Sequence, residues 1–136
     1  MRPILIDTNA YAAFMRGDRE VVEVVAHAER LFLNSIVMGE LLGGFAAGNR
    51  EARNRSELAR FLESPRVSVL PITADTADSY ALVYISLRRK GQPIPANDLW
   101  IAASALEHGA GLLSLDAHFG CVDGLRLGRR LDDFLP

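Results

Sequence analysis

Five short apolar runs recur at wide intervals along the chain: PILI (3–6), LFLN (31–34), VSVLP (67–71), GLLSL (111–115) and LRL (125–127). None alternates apolar with polar residues, as a strand with one wet face does. Each reads as a strand buried on both faces, the pattern of a parallel sheet covered by helices. Longer segments with helical spacing fill the intervals, over residues 8–15, 19–29, 35–47, 50–63, 74–89 and 97–108. Ser35 and Thr73 stand where helices should start, Pro65 follows the fourth helix, and Gly109 closes the sixth as a C-cap. The order β-α-β-α-β-α-β predicts an α/β layered fold with right-handed crossovers. No repeat, linker or low-complexity tract interrupts it, and 136 residues amount to one domain, 1–136.

Composition narrows the classes further. The hydrophobic share is 49% and the charged share 24%, ordinary for a soluble globular protein. No run of about 18 apolar residues marks a membrane span, and the chain enters ILID at once, leaving no room for a signal peptide. A single cysteine, Cys121, forbids an intrachain disulfide and argues against a structural zinc site; it reads as a small buried hydrophobe. A cytoplasmic protein without a membrane partner is expected. The net charge of −2 argues against a polyanionic partner. Yet of fifteen basic side chains only Lys90 is not Arg, and Arg is the better bidentate phosphate ligand. Genome composition explains that bias equally well.

Sheets of this kind place their sites outside the carboxyl ends of the strands. Asp7 ends the first strand and Asp116 follows the fourth. If those strands are neighbours, the two carboxylates share one edge. Each acid has an ordinary explanation by itself. Asp7 suits an N-cap. Asp98, just after the cap candidate Asn97, suits the positive end of a helix dipole. Asp116 suits a turn. Glu40 lies at the border of an apolar helix face with its stem packed and its head solvated. Glu40 has no basic neighbour one turn away, however; Gly43 and Gly44 lie there instead and leave a gap beside the carboxylate. Asp98 likewise has Ile101 and Ala102 where a cation would pair with it.

Taken together, four carboxylates on one rim would repel and raise one another's pKa values. A divalent cation among them removes the conflict. Oxygen ligands favour Mg²⁺ or Mn²⁺ over zinc, and the chemistry that follows is metal-assisted phosphodiester hydrolysis. Setting the four acids aside turns the balance from −2 to +2, so a phosphate backbone becomes acceptable. Arg88, Arg89 and Lys90, the only run of three basic residues, are candidates for phosphate contact or a solvated helix end that suits the dipole.

These residues resemble a known family. ILIDTNAYAAF, SIVMGELLGG and PANDLWIAASALEHGAGLLSLDAHF are similar, in order and separation, to the acidic motifs of PIN-domain ribonucleases, specifically VapC-type toxins of toxin–antitoxin pairs. The resemblance runs from residue 4 to about residue 127. It implies a three-layer α/β/α sandwich around a parallel sheet of four to five strands. It implies metal ligation by Asp7, Glu40 and Asp98, with Asp116 more peripheral, directly or through water. It gives supporting roles to Asn9, Ser35, Asn97 and Ser114. The implied activity is endoribonuclease cleavage of RNA leaving a 5′-phosphate and a 3′-hydroxyl. The implied partners are a small VapB-like antitoxin, whose C-terminal segment crosses the acidic groove, and a second copy in a homodimer. The tail LGRRLDDFLP is weakly matched and reads as a loose end.

Three other readings bear on the same residues. A haloacid-dehalogenase-type phosphatase needs a second Asp two residues after the first, where this chain has Asn9. A receiver domain needs adjacent acids after strand one and a Lys near strand five; neither is present. A non-catalytic protein-binding module would make the acids dispensable. His27, His108 and His118 receive no catalytic role. His108 reads as a helix-end residue, and His118, near Asp116, as a packed or solvated one.

Overall fold

The computed structural model describes residues 1–136. The elements run β1 (Ile4–Ile6), α1 (Thr8–Met15), α2 (Arg19–His27), β2 (Leu31–Asn34), α3 (Ser35–Ala47), α4 (Glu51–Leu62), β3 (Val67–Leu70), α5 (Ala74–Lys90), α6 (Ala96–Glu107), β4 (Gly111–Leu113) and β5 (Leu127–Gly128). The five strands form one parallel sheet in the order β3-β2-β1-β4-β5. The helices flank it as an α/β/α sandwich.

In β1, β2 and β4 the absence of alternation is explained by burial, whereas the edge strand β3 is not covered on both faces as its sequence suggested: Val69 is 42% exposed because no strand pairs beyond it. Ile4, Leu5 and Ile6 in the central strand are completely covered, as are Leu31 and Leu33 of β2 and Leu112 and Leu113 of β4. They belong to one apolar cluster of 29 buried residues. Each such side chain contributes roughly 1.5–3 kcal/mol by leaving water. Strand order reverses at β1, with β2 and β3 laid down on one side and β4 and β5 on the other. That switch point, at the carboxyl ends, opens a crevice.

Helix starts follow side-chain chemistry, with two departures from expectation. α3 is capped by Asn34, not Ser35. Asn34 Oδ1 accepts from the Val37 N–H at 2.9 Å, while its Nδ2 donates to Ser104 Oγ at 2.9 Å. Both residues suit an N-cap; Asn34 takes the position because it can also satisfy a buried hydroxyl on α6. α6 starts one residue before Asn97, behind Pro95, and has no side-chain cap. α5 opens as expected, with a capping box between Thr73 and Thr76.

The tail is not a loose end. Leu127 and Gly128 pair with β4, and Phe134 is buried at 5% exposure. Arg126 clamps the returning chain by donating from Nε to the Asp133 carbonyl at 2.9 Å and from Nη2 to the Leu135 carbonyl at 2.7 Å. No helix is long and apolar enough to cross a membrane.

Candidate active site

Asp7 serves the strand and the helix at once. Its N–H donates to the Leu113 carbonyl of β4 at 3.2 Å, extending the sheet by one step. Its Oδ1 accepts from the Ala10 N–H at 2.9 Å and caps α1. The residue is 3% exposed. Burial pushes its carboxyl up to about 6; hydrogen bonds from Ser114 and Ala10 pull it down, and the Asp98 and Asp116 carboxylates push it up again.

Glu40 reaches the same place from α3. Its Oε1 accepts from Thr8 Oγ1 at 2.6 Å and its Oε2 from Asn97 Nδ2 at 3.3 Å. Gly43 and Gly44 are exposed, with nothing within 4 Å of a Cβ built on either, and neither lines the cleft that holds the Glu40 carboxylate. Asp98 enters from the first turn of α6. Desolvation raises its carboxyl above the ordinary range; the hydrogen bond and charge of His118 oppose this, and the Glu40 and Asp116 carboxylates add to it. Asp116 follows β4 and caps a 3₁₀ turn, Ala117–Cys121.

The supporting residues divide. Asn9 Oδ1 accepts from the Leu115 N–H at 3.0 Å, tying α1 to the loop that carries Asp116. Ser114, 4% exposed, accepts from the Asp116 N–H at 3.0 Å and hydrogen-bonds Asp7. Asn97 holds Glu40, as above. Ser35 does not join them: its hydroxyl donates to the Leu70 carbonyl at 3.4 Å, and it makes no hydrogen bond to any of the four acids. Among the basic run, Lys90 is paired with Asp123 and also donates to the Cys121 carbonyl at 2.9 Å. Arg88 Nη1 donates to the Tyr84 hydroxyl at 3.2 Å.

Asp7, Glu40, Asp98 and Asp116 line one cleft of about 230 Å³, together with Thr8, Asn9, Ala12, Ile101 and Phe119. No Arg or Lys is paired with any of the four; the ion pairs at the site are those of His118. Sequence reasoning missed two polar neighbours. Thr8 follows Asp7 directly and faces Glu40 once α1 and α3 pack. His118 reaches back to both Asp98 and Asp116 through the 3₁₀ turn, a contact without any spacing rule to announce it. Donor atoms of Asp98, Asp116 and His118 all lie within 4.8 Å of one another. Converging carboxylates without an Arg or Lys among them, two of them desolvated, fit a divalent cation.

Residues 4–125 match the PIN domain family. The ribonuclease VapC1 of Rickettsia felis is 30% identical over 127 residues, which cover 91% of this chain and 93% of that protein. The ribonuclease VapC5 of Mycobacterium tuberculosis is 28% identical over 120 residues, covering 88% and 87%. Among solved structures, VapBC2 from Rickettsia felis bound to a DNA fragment from their promoter has a chain that superposes with a TM-score of 0.80 at 26% identity, covering 93% of this chain and 97% of that one.

Proposed function

This chain belongs to the PIN-domain family and stands among its VapC ribonucleases, and from that premise we propose that it is a divalent-metal-dependent endoribonuclease, the toxin of a toxin–antitoxin pair. The observation that carries the reading is the single cleft in which four acids meet without an Arg or Lys. The relatives reported above are ribonucleases, not phosphatases.

Asp7, Glu40 and Asp98 are the main set that holds the ion, and Asp116 acts peripherally. Their oxygens favour Mg²⁺ or Mn²⁺. Such an ion, when bound, supplies Lewis acidity and lowers the pKa of a water for attack on phosphorus. The protein's part is positioning. Thr8 and Asn97 each occupy one oxygen of Glu40, and each oxygen keeps a further lone pair. Asp7 is fixed by the Ala10 N–H and Ser114, on a strand end that is stiffer than a loop. A polyanionic strand approaches only when the acids are neutralised. Arg88 is the basic residue we assign to meet it. It lines a cavity of about 330 Å³ with Tyr84, Pro93, Ile94 and Leu99, and Leu99 directly follows Asp98. Lys90 is already engaged by Asp123, which leaves Arg88 and Arg89 as the RNA contacts.

The partner is a VapB-like antitoxin whose C-terminal segment crosses the acidic groove. Residues 1–136 act as one domain, in a cytoplasmic homodimer. The test is cleavage of a mixed RNA pool by purified protein in Mg²⁺, Mn²⁺ or EDTA, with Asp98→Asn as control. Cutting that needs metal and disappears in folded Asp98→Asn is the expected result. Cutting that persists in EDTA or in the variant overturns it. If no RNA is cut, calorimetric titration with Mn²⁺ decides: heat lost on Asp98→Asn substitution indicates a selective nuclease, and no heat indicates a binding module.

A further inference from the structure

The 3₁₀ turn after Asp116 brings His118 back over the acidic cleft. Its Nδ1 lies 2.6 Å from Asp116 Oδ1, and its Nε2 lies 2.7 Å from Asp98 Oδ2. The side chain is 37% exposed, so packing does not account for this placement. A neutral imidazole has one N–H and one lone pair. With the N–H on Nδ1 donating to Asp116, the Nε2 lone pair faces an oxygen of Asp98. Two acceptors sit at that separation only with a proton or a cation between them: the second N–H of a charged imidazole, which is how His118 acts on Asp98 in the ion-free cleft, or a metal ion that takes its place. A carboxylate gripping one ring nitrogen while the other faces the ion is a recurrent outer-shell arrangement of metal-binding histidines, and it fixes the tautomer.

We propose that His118 Nε2 is a ligand of the divalent ion that Asp98 helps to hold, with Asp116 positioning the imidazole through Nδ1. The inference rests on the metal-dependent reading above and deepens it. Asp116 becomes a positioning residue, which accounts for its place at the edge of the site. An imidazole in the set also changes the preference among ions. Nitrogen donors suit transition metals, whereas Mg²⁺ is held by oxygen. The centre therefore takes Mn²⁺ in preference to Mg²⁺.

The experiment is pulsed electron paramagnetic resonance on tag-free protein loaded with Mn²⁺ alone, read for nitrogen modulation from a directly bound imidazole. Protein grown with ¹⁵N-histidine should show the ¹⁴N pattern replaced by that of ¹⁵N, which needs no variant. His118→Ala and His118→Asn should both lose the signal. Their Mn²⁺ affinity should fall about tenfold or more while Mg²⁺ affinity stays within about twofold, a tenfold change being the lower end expected for a lost metal-site interaction. Asp116→Asn should weaken Mn²⁺ binding yet keep the histidine nitrogen. Mn²⁺ bound by the wild type without a histidine nitrogen overturns the inference and leaves the acid site standing. A signal that survives in both His118 variants does the same. Failure of the wild type to bind Mn²⁺ at all overturns the inference and the metal-dependent reading together.

Discussion

Thr8 Oγ1 donates to Glu40 Oε1 at 2.6 Å and so joins the first turn of α1 to α3 across 32 positions of sequence. Only one other side chain, Asn97, hydrogen-bonds Glu40, at 3.3 Å. Thr8→Val keeps the shape and removes the donor, freeing the Glu40 head to leave the cleft. Mn²⁺ affinity by calorimetry should fall about tenfold, the lower end for loss of an outer-shell partner, and RNA cleavage should fall with it. Thr8→Ser should restore both. If Val and Ser behave alike, the hydroxyl has no role in holding Glu40.

Arg88 and Lys90 differ in what they have free to offer. Lys90 is held by Asp123 and the Cys121 carbonyl, whereas Arg88 spends one nitrogen on Tyr84 and keeps its other donors. In an Asp98→Asn background, Arg88→Ala should weaken single-stranded RNA binding to a similar degree for every sequence. It should also lower the slope of log affinity against log salt by about 0.7, one phosphate contact. Lys90→Ala should leave the slope unchanged. Fluorescence anisotropy at several salt concentrations reads both. An unchanged slope for Arg88→Ala removes it from the phosphate path.

The returning tail depends on a missing side chain. A Cβ on Gly128 would lie 2.5 Å from Asp133 Cβ and 2.7 Å from the Phe134 ring. Gly128→Ala must push that segment off the sheet edge, at about 1–3 kcal/mol. Phe134→Ala removes the buried ring itself, at about 3–5 kcal/mol. Urea melts should rank the wild type above Gly128→Ala and Gly128→Ala above Phe134→Ala. Equal midpoints for all three proteins would show that the tail is not docked in solution.

What the sequence made legible follows from burial. β1, β2 and β4 are covered on both faces, so their residues are apolar without interruption and their helices fall between them. The acids were legible because Asp7, Asp98 and Asp116 sat where an element begins or ends and because Glu40 and Asp98 lacked a local cation. Contacts between distant segments were not. Asn34 caps α3 while bonding Ser104, 70 positions away, and no local pattern separates it from Ser35 as the cap. The tail looked loose because a two-residue strand and one buried Phe carry almost no periodic signal. His118 looked ordinary because the 3₁₀ turn that aims it at Asp98 is set by Asp116 accepting from the His118 N–H at 3.2 Å, a geometry rather than a composition.

Asp7 contributes to the pH dependence of the metal-free protein, and Asp98, also raised by desolvation, acts in the same direction. The Asp7 carboxyl ordinarily titrates at 3.8 and is pushed up to about 6 in the fold, chiefly by burial. Between those values the folded state holds a proton that the unfolded chain has lost. Stability therefore falls as pH rises through that window, and the full penalty is present above about 6. A rise from 3.8 to about 6 corresponds to roughly 3 kcal/mol, and this applies because the group is nearly inaccessible to solvent. Asp7→Asn keeps an oxygen for the Ala10 cap and removes the charge. In EDTA at pH above 7 it should melt higher than the wild type by roughly 6–12 °C, taking about 2–4 °C per kcal/mol for a chain near this size. Near pH 4 the difference should shrink. Mn²⁺ should reverse the order, because only the wild type gains binding energy from the ion, about 4.1 kcal/mol when it is present at about 1,000 times its Kd, more than the roughly 3 kcal/mol cost of the buried charge. Differential scanning calorimetry in both buffers reads all of this. A variant that melts below the wild type in EDTA at pH above 7 would show that the buried carboxylate is already compensated by the protein and that the cleft does not depend on a cation to relieve it.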